Sequence, residues 1–484
     1  MIYDTLKNYI NGEWTESSST QILNVYNPAT SELIAKVPMS TIGEVESAIS
    51  VAKEAFAEWR ETPPLSRARY FFRLKELMEE NFEGLAKTIV EEEGKTIDEA
   101  RGEIRRAIEN VEIATGISSL MMGNNLEDVA TGIDEFVVRQ PLGVFCAIVP
   151  FNFPFMVSLW FLPCAVACGN TYIVKSSEQA PISQIKLFEL LNEAGFPPGV
   201  VNLLNGSKEA AKTLVESPDI EGVSFVGTTK IAKEIYGNAA KSGKRAQCQG
   251  GAKNFIVVMP DADLDSTVPG LISSFYGCAG ERCLAGSVLL AVGDIYLPLK
   301  EKFLEEAAKI KVGYGLDETT QMGPVVSKKH KAGILSHIER GMEEGAKLIL
   351  DGRNIEVKDF PNGNFIGPTI FDEVMPEMTI ANEEIFGPVV SIMKAKDLEE
   401  AIKIIQSNKY GNASSIFTSS GINARKFRYE VNSGNIGINI GIAAPMAFFP
   451  FSGMKDSFFG DLHGQGTDAI DFFTNKKVVI ERWI

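Results

Sequence analysis

The stretch from residue 143 to residue 226 alternates apolar runs with helical patterns, and no other feature of the chain restricts the fold as strongly. Short, mostly apolar runs predict buried strands at residues 144–149, 171–174, 200–204 and 222–226. A helical pattern separates each of these strands from the next. This βαβ rhythm predicts a doubly wound parallel sheet, which places the chain in the α/β fold class.

Three residues that could contact a ligand come just after these strands. Asn152, Lys175 and Gly227 do so, and ligands of doubly wound sheets bind at the carboxyl ends of the strands. The turn at Gly227 and Thr228 can present helix N–H groups to a pyrophosphate, although the chain has no GxGxxG motif. Glu178 can accept hydrogen bonds from an adenosine ribose and would repel a 2′-phosphate, which favours NAD over NADP. On local grounds, Lys175 could equally be a surface lysine.

A second α/β unit extends from about residue 254 to residue 455. It contains residues 275–285, where Cys283 lies among small residues, with Gly280 before it and Ala285 after it. Small neighbours allow a substrate carbonyl to approach sulfur, and N–H groups near a turn can stabilise a thiolate or an oxyanion. Cys283 is therefore a candidate nucleophile.

Alternatives stay open within this unit. An unpaired cysteine is usually a small core residue, and we adopt that interpretation for Cys278. The positive charge of Arg282 is expected to favour the thiolate of Cys283. Glu384 and Phe386 could hold the nicotinamide ribose and pack against its ring, or they could be an acid at a strand edge and a core aromatic.

Charge and cysteine usage exclude several classes of partner. The chain has 484 residues and a formal net charge of −16, whereas nucleic acids and anionic membranes require a basic surface. Its six cysteines form no CxxC pattern, as expected of reduced thiols in a cytoplasmic enzyme. The first residues have no signal-peptide pattern, and the apolar run at 157–168 is too short to span a bilayer. The chain has three histidines, and none lies in a recognisable motif, so the sequence predicts no metal site.

The N-terminal region is predicted to contain short strands followed by helices. Asn11 and Gly12 suit a hairpin turn. Apolar residues at helical spacing predict one helix through Phe71 and a second helix through Ile104. Arg106 lies on the second helix, and its spacing alone predicts a solvated helix face.

Taken together, these motifs resemble the aldehyde dehydrogenase superfamily along nearly the whole chain. The resemblance implies that Cys283 is the nucleophile and that Asn152 stabilises the oxyanion. The loop at residues 450–457 is similar to the family's loop near the substrate entrance. The residues that the resemblance assigns to cofactor binding are Phe151, Lys175, Glu178, Gly227, Thr228, Gln249, Glu384 and Phe386.

The superfamily has three structural parts, and the resemblance implies the same division here. An NAD-binding domain would cover residues 1–118 and 142–253. An α/β catalytic domain would cover residues 254–460. A bridging β arm for oligomerisation would cover residues 119–141 and 461–484.

The tail from residue 468 to residue 484 is predicted to be strand-like, first at Phe472 and Phe473 and then at 478–480. An exposed strand is an aggregation hazard unless it pairs with something. The arm implied by the resemblance would supply that partner in a homo-oligomer, either a dimer or a tetramer.

One departure from the family pattern matters most. Ordinary aldehyde dehydrogenases carry Glu-Leu-Gly-Gly-Lys, whereas this chain has Gln249 at the position of the Glu. An amide does not accept a proton near neutral pH, so Gln249 cannot activate a hydrolytic water. The missing Glu is typical of the CoA-acylating methylmalonate-semialdehyde dehydrogenases. The stretches at 280–283 and 444–453 are also similar to that branch.

Resemblance to this branch implies a substrate and a reaction. Arg106 and Arg282 match its substrate-binding arginines, and a guanidinium fork suits a carboxylate. The implied activity is NAD-dependent oxidation of malonate or methylmalonate semialdehyde through a Cys283 thioester, with decarboxylation and transfer to coenzyme A. Two alternatives remain. One is a hydrolytic, NAD(P)-dependent dehydrogenase for another aldehyde, with Glu281 or Glu384 as the base. The other is a non-catalytic scaffold that keeps the fold.

Overall fold

The computed structural model of the chain describes residues 3–483, which form 22 strands and 17 α-helices. Within these residues, no helix is both long enough and apolar enough to cross a membrane. The strands are β1 (Asn8–Ile10), β2 (Glu13–Thr15), β3 (Ile22–Tyr26), β4 (Leu33–Pro38), β5 (Asn125–Ala130), β6 (Ile133–Pro141), β7 (Val144–Ile148), β8 (Thr171–Lys175), β9 (Val201–Leu204), β10 (Ile220–Val226), β11 (Arg245–Gln249), β12 (Asn254–Val258), β13 (Gly286–Val292), β14 (Lys347–Leu350), β15 (Thr369–Asp372), β16 (Val389–Ala395), β17 (Tyr410–Gly411), β18 (Ala413–Phe417), β19 (Asn435–Ile438), β20 (Met454–Lys455), β21 (Phe458–Phe459) and β22 (Thr474–Glu481). The helices are α1 (Ile42–Trp59), α2 (Pro64–Glu80), α3 (Phe82–Glu93), α4 (Ile97–Thr115), α5 (Ile117–Leu120), α6 (Met156–Leu159), α7 (Leu162–Ala167), α8 (Ile182–Glu193), α9 (Lys208–Glu216), α10 (Thr229–Lys241), α11 (Leu264–Tyr276), α12 (Tyr296–Ala308), α13 (Lys328–Glu343), α14 (Thr379–Asn382), α15 (Leu398–Ser407), α16 (Gly421–Glu430) and α17 (Gly466–Phe472).

The first sheet has five parallel strands at its centre, in the order β9-β8-β7-β10-β11. After β7 the chain adds β8 and β9 on one side and then β10 and β11 on the other, so the strand order reverses between β7 and β10. Every residue of β7, β8 and β9 is buried, as expected for a parallel sheet covered on both faces. The four predicted strands are confirmed, with ends shifted by one or two residues.

A second sheet follows the order β14-β15-β16-β13-β12-β18-β19, and all of its neighbouring strands are parallel except β14 and β15. Apolar side chains of β12, β13 and β16 form one buried cluster with those of α11, α12, α13 and α15. The α/β fold class, with two α/β units, is therefore confirmed.

A third sheet of three antiparallel strands has the order β22-β6-β5. β22 pairs with β6 along its whole length, from Thr474 opposite Pro141 to Glu481 opposite Asp134. The C-terminal strand therefore finds a partner within its own chain. Every residue of β5 is exposed.

The strand prediction is wrong at Phe472 and Phe473. Phe472 is the last residue of α17, and Phe473 is the C-cap of that helix. Both side chains are buried, and their ring centroids lie 5.8 and 5.0 Å from that of Phe145 in β7. A short apolar run has no period that separates a helix end from a strand, so tertiary packing decides its structure here.

The N-terminal region has the predicted elements. Asn11 and Gly12 connect β1 to β2 with φ values of 55° and 81°, as a type I′ hairpin turn requires. The two predicted helices are α2 and α4. A capping box starts α4, in which the Thr96 hydroxyl accepts the N–H of Glu99 and the Glu99 carboxylate accepts the N–H of Thr96.

Asn170 joins the end of β6 to the first sheet. Its side-chain oxygen accepts hydrogen bonds from the N–H groups of Leu142 and Gly143, between β6 and β7. Its side-chain amide donates to the carbonyl oxygens of Ala165 and Phe473. The residue is fully buried, and its side chain binds four main-chain groups, of which the Ala165 carbonyl also accepts the main-chain N–H of Asn170.

We expect Asn170→Ala to destabilise the protein. A buried main-chain group without a partner costs about 1–3 kcal/mol, and partial relaxation should limit the total loss to roughly 2–4 kcal/mol. A thermal-shift measurement should show a clearly lower Tm. Asn432→Ala changes an exposed asparagine and serves as the matched control. Equal Tm values for the two variants would contradict the role of Asn170.

Candidate active site

Opposite edges of the two main sheets meet at the candidate site. Asn152 and Gly227 follow the carboxyl ends of β7 and β10, where the strand order reverses. Cys283 and Glu384 precede the amino ends of β13 and β16. The side-chain amide of Asn152 donates a hydrogen bond of 2.9 Å to the carbonyl oxygen of Glu281 and so joins the two edges directly.

The main chain at Cys283 is held by two asparagines. Asn254, at the start of β12, and Asn412, just before β18, donate side-chain hydrogen bonds of 2.8 and 2.7 Å to the Cys283 carbonyl oxygen. Gly280 has a φ of 74°, and a Cβ atom there would collide with the carbonyl oxygen of Gly387. The segment that carries the thiol therefore lies directly against the segment that precedes β16.

Burial raises the pKa of the Cys283 thiol to about 12, and the nearby carboxylate of Glu384 contributes to the rise. The N–H groups of Cys283 and Leu284 and the charge of Arg282 lower the pKa, but they do not overcome burial. The predicted influence of Arg282 has the right direction and is smaller than the effect of burial. Its Nε atom lies 3.2 Å from the Sγ atom of Cys278, so the guanidinium is directed to the other cysteine.

A cavity of about 390 Å³ brings together three of the four residues that were predicted to act on the substrate, namely Cys283, Arg106 and Arg282, whereas Asn152 does not line it. Three aromatic side chains form part of its wall: Phe153, Trp160 and Phe451. The rings of Trp160 and Phe451 stack with their centroids 4.5 Å apart. The cavity can therefore hold a small molecule with one reactive carbon, a short apolar portion and an anionic group.

Both arginines of this cavity have carboxylate partners within the chain. An Nη2 to Oε1 distance of 3.2 Å joins Arg282 to Glu99. An Nη1 to Oε2 distance of 3.0 Å joins Arg106 to Glu109, and the same Arg106 nitrogen contacts the Met446 sulfur. The Arg106 side chain is 38% exposed, so the solvated-face interpretation describes only part of it.

Sequence reasoning missed the ion pair that supports the loop after β7. The Nζ atom of Lys95 lies 2.8 Å from Oε2 of Glu103 and donates a 2.7 Å hydrogen bond to the Asn152 carbonyl oxygen. Oε1 of Glu103 accepts the N–H groups of Phe155 and Met156 over 2.9 and 3.0 Å. Both charged side chains are fully buried. No sequence signal separates them from surface residues, because burial in this chain depends on the packing of α4 on the loop.

The predicted cofactor residues of the first sheet lie at its carboxyl edge. Lys175, the last residue of β8, is buried, which lowers the pKa of its ammonium group, so the surface-lysine alternative is wrong. Its Nζ atom lies 3.5 Å from Oε2 of Glu178, whose side chain is 38% exposed. Gly227 and Thr228 lead into α10, and the Thr228 side chain makes no capping hydrogen bond. The first N–H groups of that helix can therefore bind an anion.

Three further polar groups lie between the sheets. The Gln249 amide donates a 3.0 Å hydrogen bond to the carbonyl oxygen of Phe451. Burial raises the pKa of Glu384 to about 7, and its Oε1 atom accepts the Ala252 N–H over 3.0 Å. Burial lowers the pKa of Lys253 to about 7. Within residues 3–483, the Gln249 Oε1 and Lys253 Nζ atoms are buried without a hydrogen-bond partner, as expected of groups that meet a bound molecule.

Phe151 and Phe386 form an edge-to-face pair with ring centroids 6.0 Å apart. The ring of His330 lies 6.0 Å from Phe151 and 6.1 Å from Phe386. Phe386 has a φ of 57°, a backbone conformation that residues other than glycine rarely adopt. Sequence reasoning set His330 aside because no motif surrounds it, and only the fold brings it to the site.

The two carboxylates considered as alternative hydrolytic bases differ in position. Oε1 of Glu281 lies 3.2 Å from Nε2 of His330 and accepts the N–H of Val326, so this carboxylate faces α13. Burial raises the pKa of Glu281 well above its ordinary value. Glu384 is close enough to Cys283 to raise the pKa of the thiol. Of the two, Glu384 is the one placed near the thiol.

Comparison with known proteins agrees with this geometry. A family model described as the aldehyde dehydrogenase family matches residues 14–479. The chain belongs to the aldehyde dehydrogenase family. The malonate-semialdehyde dehydrogenase of Halalkalibacterium halodurans is 47% identical to it over 480 residues, which cover 99% of each chain.

Two solved structures of aldehyde dehydrogenases match almost the entire fold. The methylmalonate-semialdehyde dehydrogenase of Oceanimonas doudoroffii has a TM-score of 0.98 and 44% identity and covers 99% of each chain. A candidate methylmalonate-semialdehyde dehydrogenase of Sinorhizobium meliloti 1021, solved with NAD, has a TM-score of 0.98 and 43% identity. That match covers 100% of this chain and 99% of the other. The predicted family and its fold are confirmed, and the individual site roles stay predictions.

We expect Glu103→Gln to impair this aldehyde dehydrogenase in stability and in turnover. Breaking a buried ion pair costs roughly 3–5 kcal/mol, and the Lys95 charge would keep only the more distant Glu93 carboxylate, 3.7 Å away. The loop that carries Asn152 should lose its position, so kcat should fall more than KM rises. Glu79→Gln breaks the exposed pair with Arg105 and is the control, with an expected cost below about 1 kcal/mol. Similar thermal midpoints for both variants would argue against the supporting role of the buried pair.

Proposed function

We propose that the chain is an NAD-dependent dehydrogenase of malonate or methylmalonate semialdehyde. The observation that carries this proposal is the single cavity lined by Cys283, Arg106 and Arg282. A semialdehyde of this kind has a carboxylate close to its aldehyde carbon, so one molecule can meet a guanidinium and the thiol together. The names of relatives at 47% and 44% identity support the same substrate class.

The carboxyl edge of the first sheet suits NAD. The buried ammonium of Lys175 and the half-exposed carboxylate of Glu178 suit ribose hydroxyls, and the start of α10 after Gly227 suits a pyrophosphate. Glu384 and Phe386 suit the nicotinamide end. When bound, NAD supplies the acceptor for a hydride. The carboxylate of Glu178 would repel a 2′-phosphate, and the NAD complex of the Sinorhizobium meliloti relative also supports NAD.

In the proposed mechanism the carboxylate of Glu384, which lies near the thiol, takes the proton of Cys283. The resulting thiolate attacks the aldehyde carbon, and the carbonyl π electrons move to oxygen. One N–H of the Asn152 amide is bonded to the Glu281 carbonyl, which leaves the second N–H for this oxyanion. The N–H of Cys283 would be the other donor. Oxidation of the same carbon leaves a thioester on Cys283. Lys95 holds the Asn152 loop in place during these steps.

The proposed thioester carries a carboxylate on the carbon next to its carbonyl group. Cleavage of that carbon–carbon bond releases carbon dioxide, and the thioester carbonyl delocalises the electron pair until the carbon is protonated. The thiol of coenzyme A then displaces Cys283, which gives acetyl-CoA or propionyl-CoA and restores the thiol. Gln249 cannot act as a base for water, so the thioester would persist until coenzyme A arrives.

We also infer a homo-oligomer, a dimer or a tetramer, built on an arm at residues 119–141 and 461–484. β5 and β22 are the two edge strands of the arm sheet. Leu126, Val478 and Ile480 on these strands are 64%, 60% and 65% exposed. Exposed apolar edges of this kind are ordinarily covered in the assembled protein. The other proposed boundaries are an NAD-binding domain at 1–118 and 142–253 and a catalytic domain at 254–460.

Arg106→Leu should raise KM for malonate semialdehyde and leave KM for propanal nearly unchanged. Loss of a charge-assisted hydrogen bond costs about 1.5–3 kcal/mol, which corresponds to roughly tenfold to hundredfold in affinity. Arg105→Leu is the matched control, because the neighbouring arginine is exposed and pairs with Glu79 outside the cavity. Equal losses on the two aldehydes would rule out recognition of the carboxylate by Arg106.

Without coenzyme A, the enzyme should release a burst of about one NADH per site and then turn over slowly. Added coenzyme A should restore fast turnover, with acyl-CoA as the main product. Gln249→Glu introduces a base that typically contributes about a hundredfold or more when well positioned, so this variant should release some free acid. Fast, steady formation of free acid by the unaltered protein without coenzyme A would instead support the hydrolytic dehydrogenase.

A further inference from the structure

Two side chains outside the substrate cavity link the segment of the nucleophile to the segment before β16. Glu281 is 1% exposed and lies two residues before Cys283. One oxygen of its carboxylate is 3.2 Å from Nε2 of His330. The same His330 nitrogen is 2.7 Å from the carbonyl oxygen of Phe386. A single imidazole nitrogen therefore connects the two segments.

The partners of Nε2 determine where the imidazole carries its hydrogen. A carbonyl oxygen only accepts, so Nε2 carries a hydrogen whatever the state of Nδ1. This hydrogen is donated to the Phe386 carbonyl, and the Glu281 carboxyl group lies 3.2 Å from the same nitrogen. His330 lies in the first turn of α13, and its own N–H is bound by the Ser327 side chain over 3.2 Å. The position of the ring is thus set by the capped start of a long helix.

Glu281 also contacts the catalytic region through its main chain. Its carbonyl oxygen accepts the 2.9 Å hydrogen bond from the Asn152 side chain, and its N–H donates to the Cys278 carbonyl over 2.8 Å. Its carboxyl group additionally accepts the N–H of Val326 over 3.4 Å. This one residue therefore touches the nucleophile segment, the loop after β7 and the start of α13.

The backbone at Phe386 requires an external anchor. Its φ of 57° belongs to the left-handed region, and such a conformation persists only where the surroundings determine it. The hydrogen bond from His330 to its carbonyl oxygen is one anchor, and the close contact between Gly280 and Gly387 is another.

We propose that His330 and Glu281 form a positioning pair that holds Phe386 in register with Cys283 and Asn152. This proposal rests on two parts of the proposed function: Cys283 is the nucleophile, and Phe386 contacts the nicotinamide. It does not depend on the identity of the aldehyde or on the acyl acceptor. Neither side chain of the pair lines the cavity, so the pair acts through the groups that it holds.

The test compares His330→Phe, which removes the donor and keeps a ring, with His330→Gln, which keeps an N–H donor. Formation of NADH in a single turnover should slow on the order of tenfold to a hundredfold in His330→Phe, because small displacements of reacting groups have effects of that size. His330→Gln should retain most of the rate. Titration with NAD should show weaker binding by His330→Phe. Iodoacetamide should alkylate Cys283 at different rates with and without NAD in the unaltered protein, and this difference should be lost in His330→Phe.

A double-variant cycle completes the test. If the residues act as one unit, His330→Phe combined with Glu281→Gln should be no slower than the slower single variant. Multiplication of the two single effects, or equal rates for His330→Phe and His330→Gln, would overturn the proposal. His337→Gln, on the same helix, is the control, because its ring makes no hydrogen bond among residues 3–483. Should Glu281→Gln fail to fold, the two His330 variants still decide the outcome.

Failure of this inference is distinguishable from failure of the proposed function. Single-turnover NADH formation, NAD affinity and thiol alkylation all precede release of the acyl group. An enzyme that forms free acid without coenzyme A could still depend on His330 and Glu281. Conversely, variants of the pair that behave like the unaltered protein would leave the coenzyme A prediction unaffected.

Discussion

The site depends on the direction of the strands. Parallel strands place all their carboxyl ends on one edge, so Asn152, Lys175 and Gly227 collect there although they are far apart in sequence. The second sheet turns its amino edge to the same place and contributes Cys283 and Glu384. Each contact between the sheets at the candidate site therefore crosses a seam between two separate hydrophobic cores, and specific polar contacts must hold this seam.

Buried charges at this seam hold the main chain in position and do little to ionise the thiol. Lys95 and Glu103 bind main-chain groups of the loop after β7, and Arg282 pairs with Glu99. The pKa of Cys283 stays high because burial outweighs the positive charge beside it. Buried ion pairs are costly to form, and their benefit here is a defined geometry.

The sequence predicts what depends on local pattern and misses what depends on packing. The strands of the first sheet were predictable because parallel strands buried on both faces are continuous apolar runs. Cys283 and Asn152 could be singled out from the motifs around them, and their catalytic roles stay predictions. Lys95 and His330 were not, since a charged or imidazole side chain looks the same in sequence whether it is buried or solvated. The strand prediction for the adjacent Phe472 and Phe473 is wrong for a related reason. Packing of their rings against β7, and not a period in the sequence, decides the backbone conformation there.

One helix supplies a large part of the substrate cavity. The residues of α4 that line it follow helical spacing and share one face of the helix: Glu99, Gly102, Glu103, Arg106, Glu109 and Asn110. None of the residues proposed to contact NAD lies on this helix. Not every position of the stripe is free to change, because Glu103 holds the loop of Asn152 and Glu99 pairs with Arg282. Evolution could retune the proposed selectivity at Arg106 and Glu109, which make neither of these contacts, and a designer who exchanges only those positions between relatives would alter selectivity without rebuilding the catalyst.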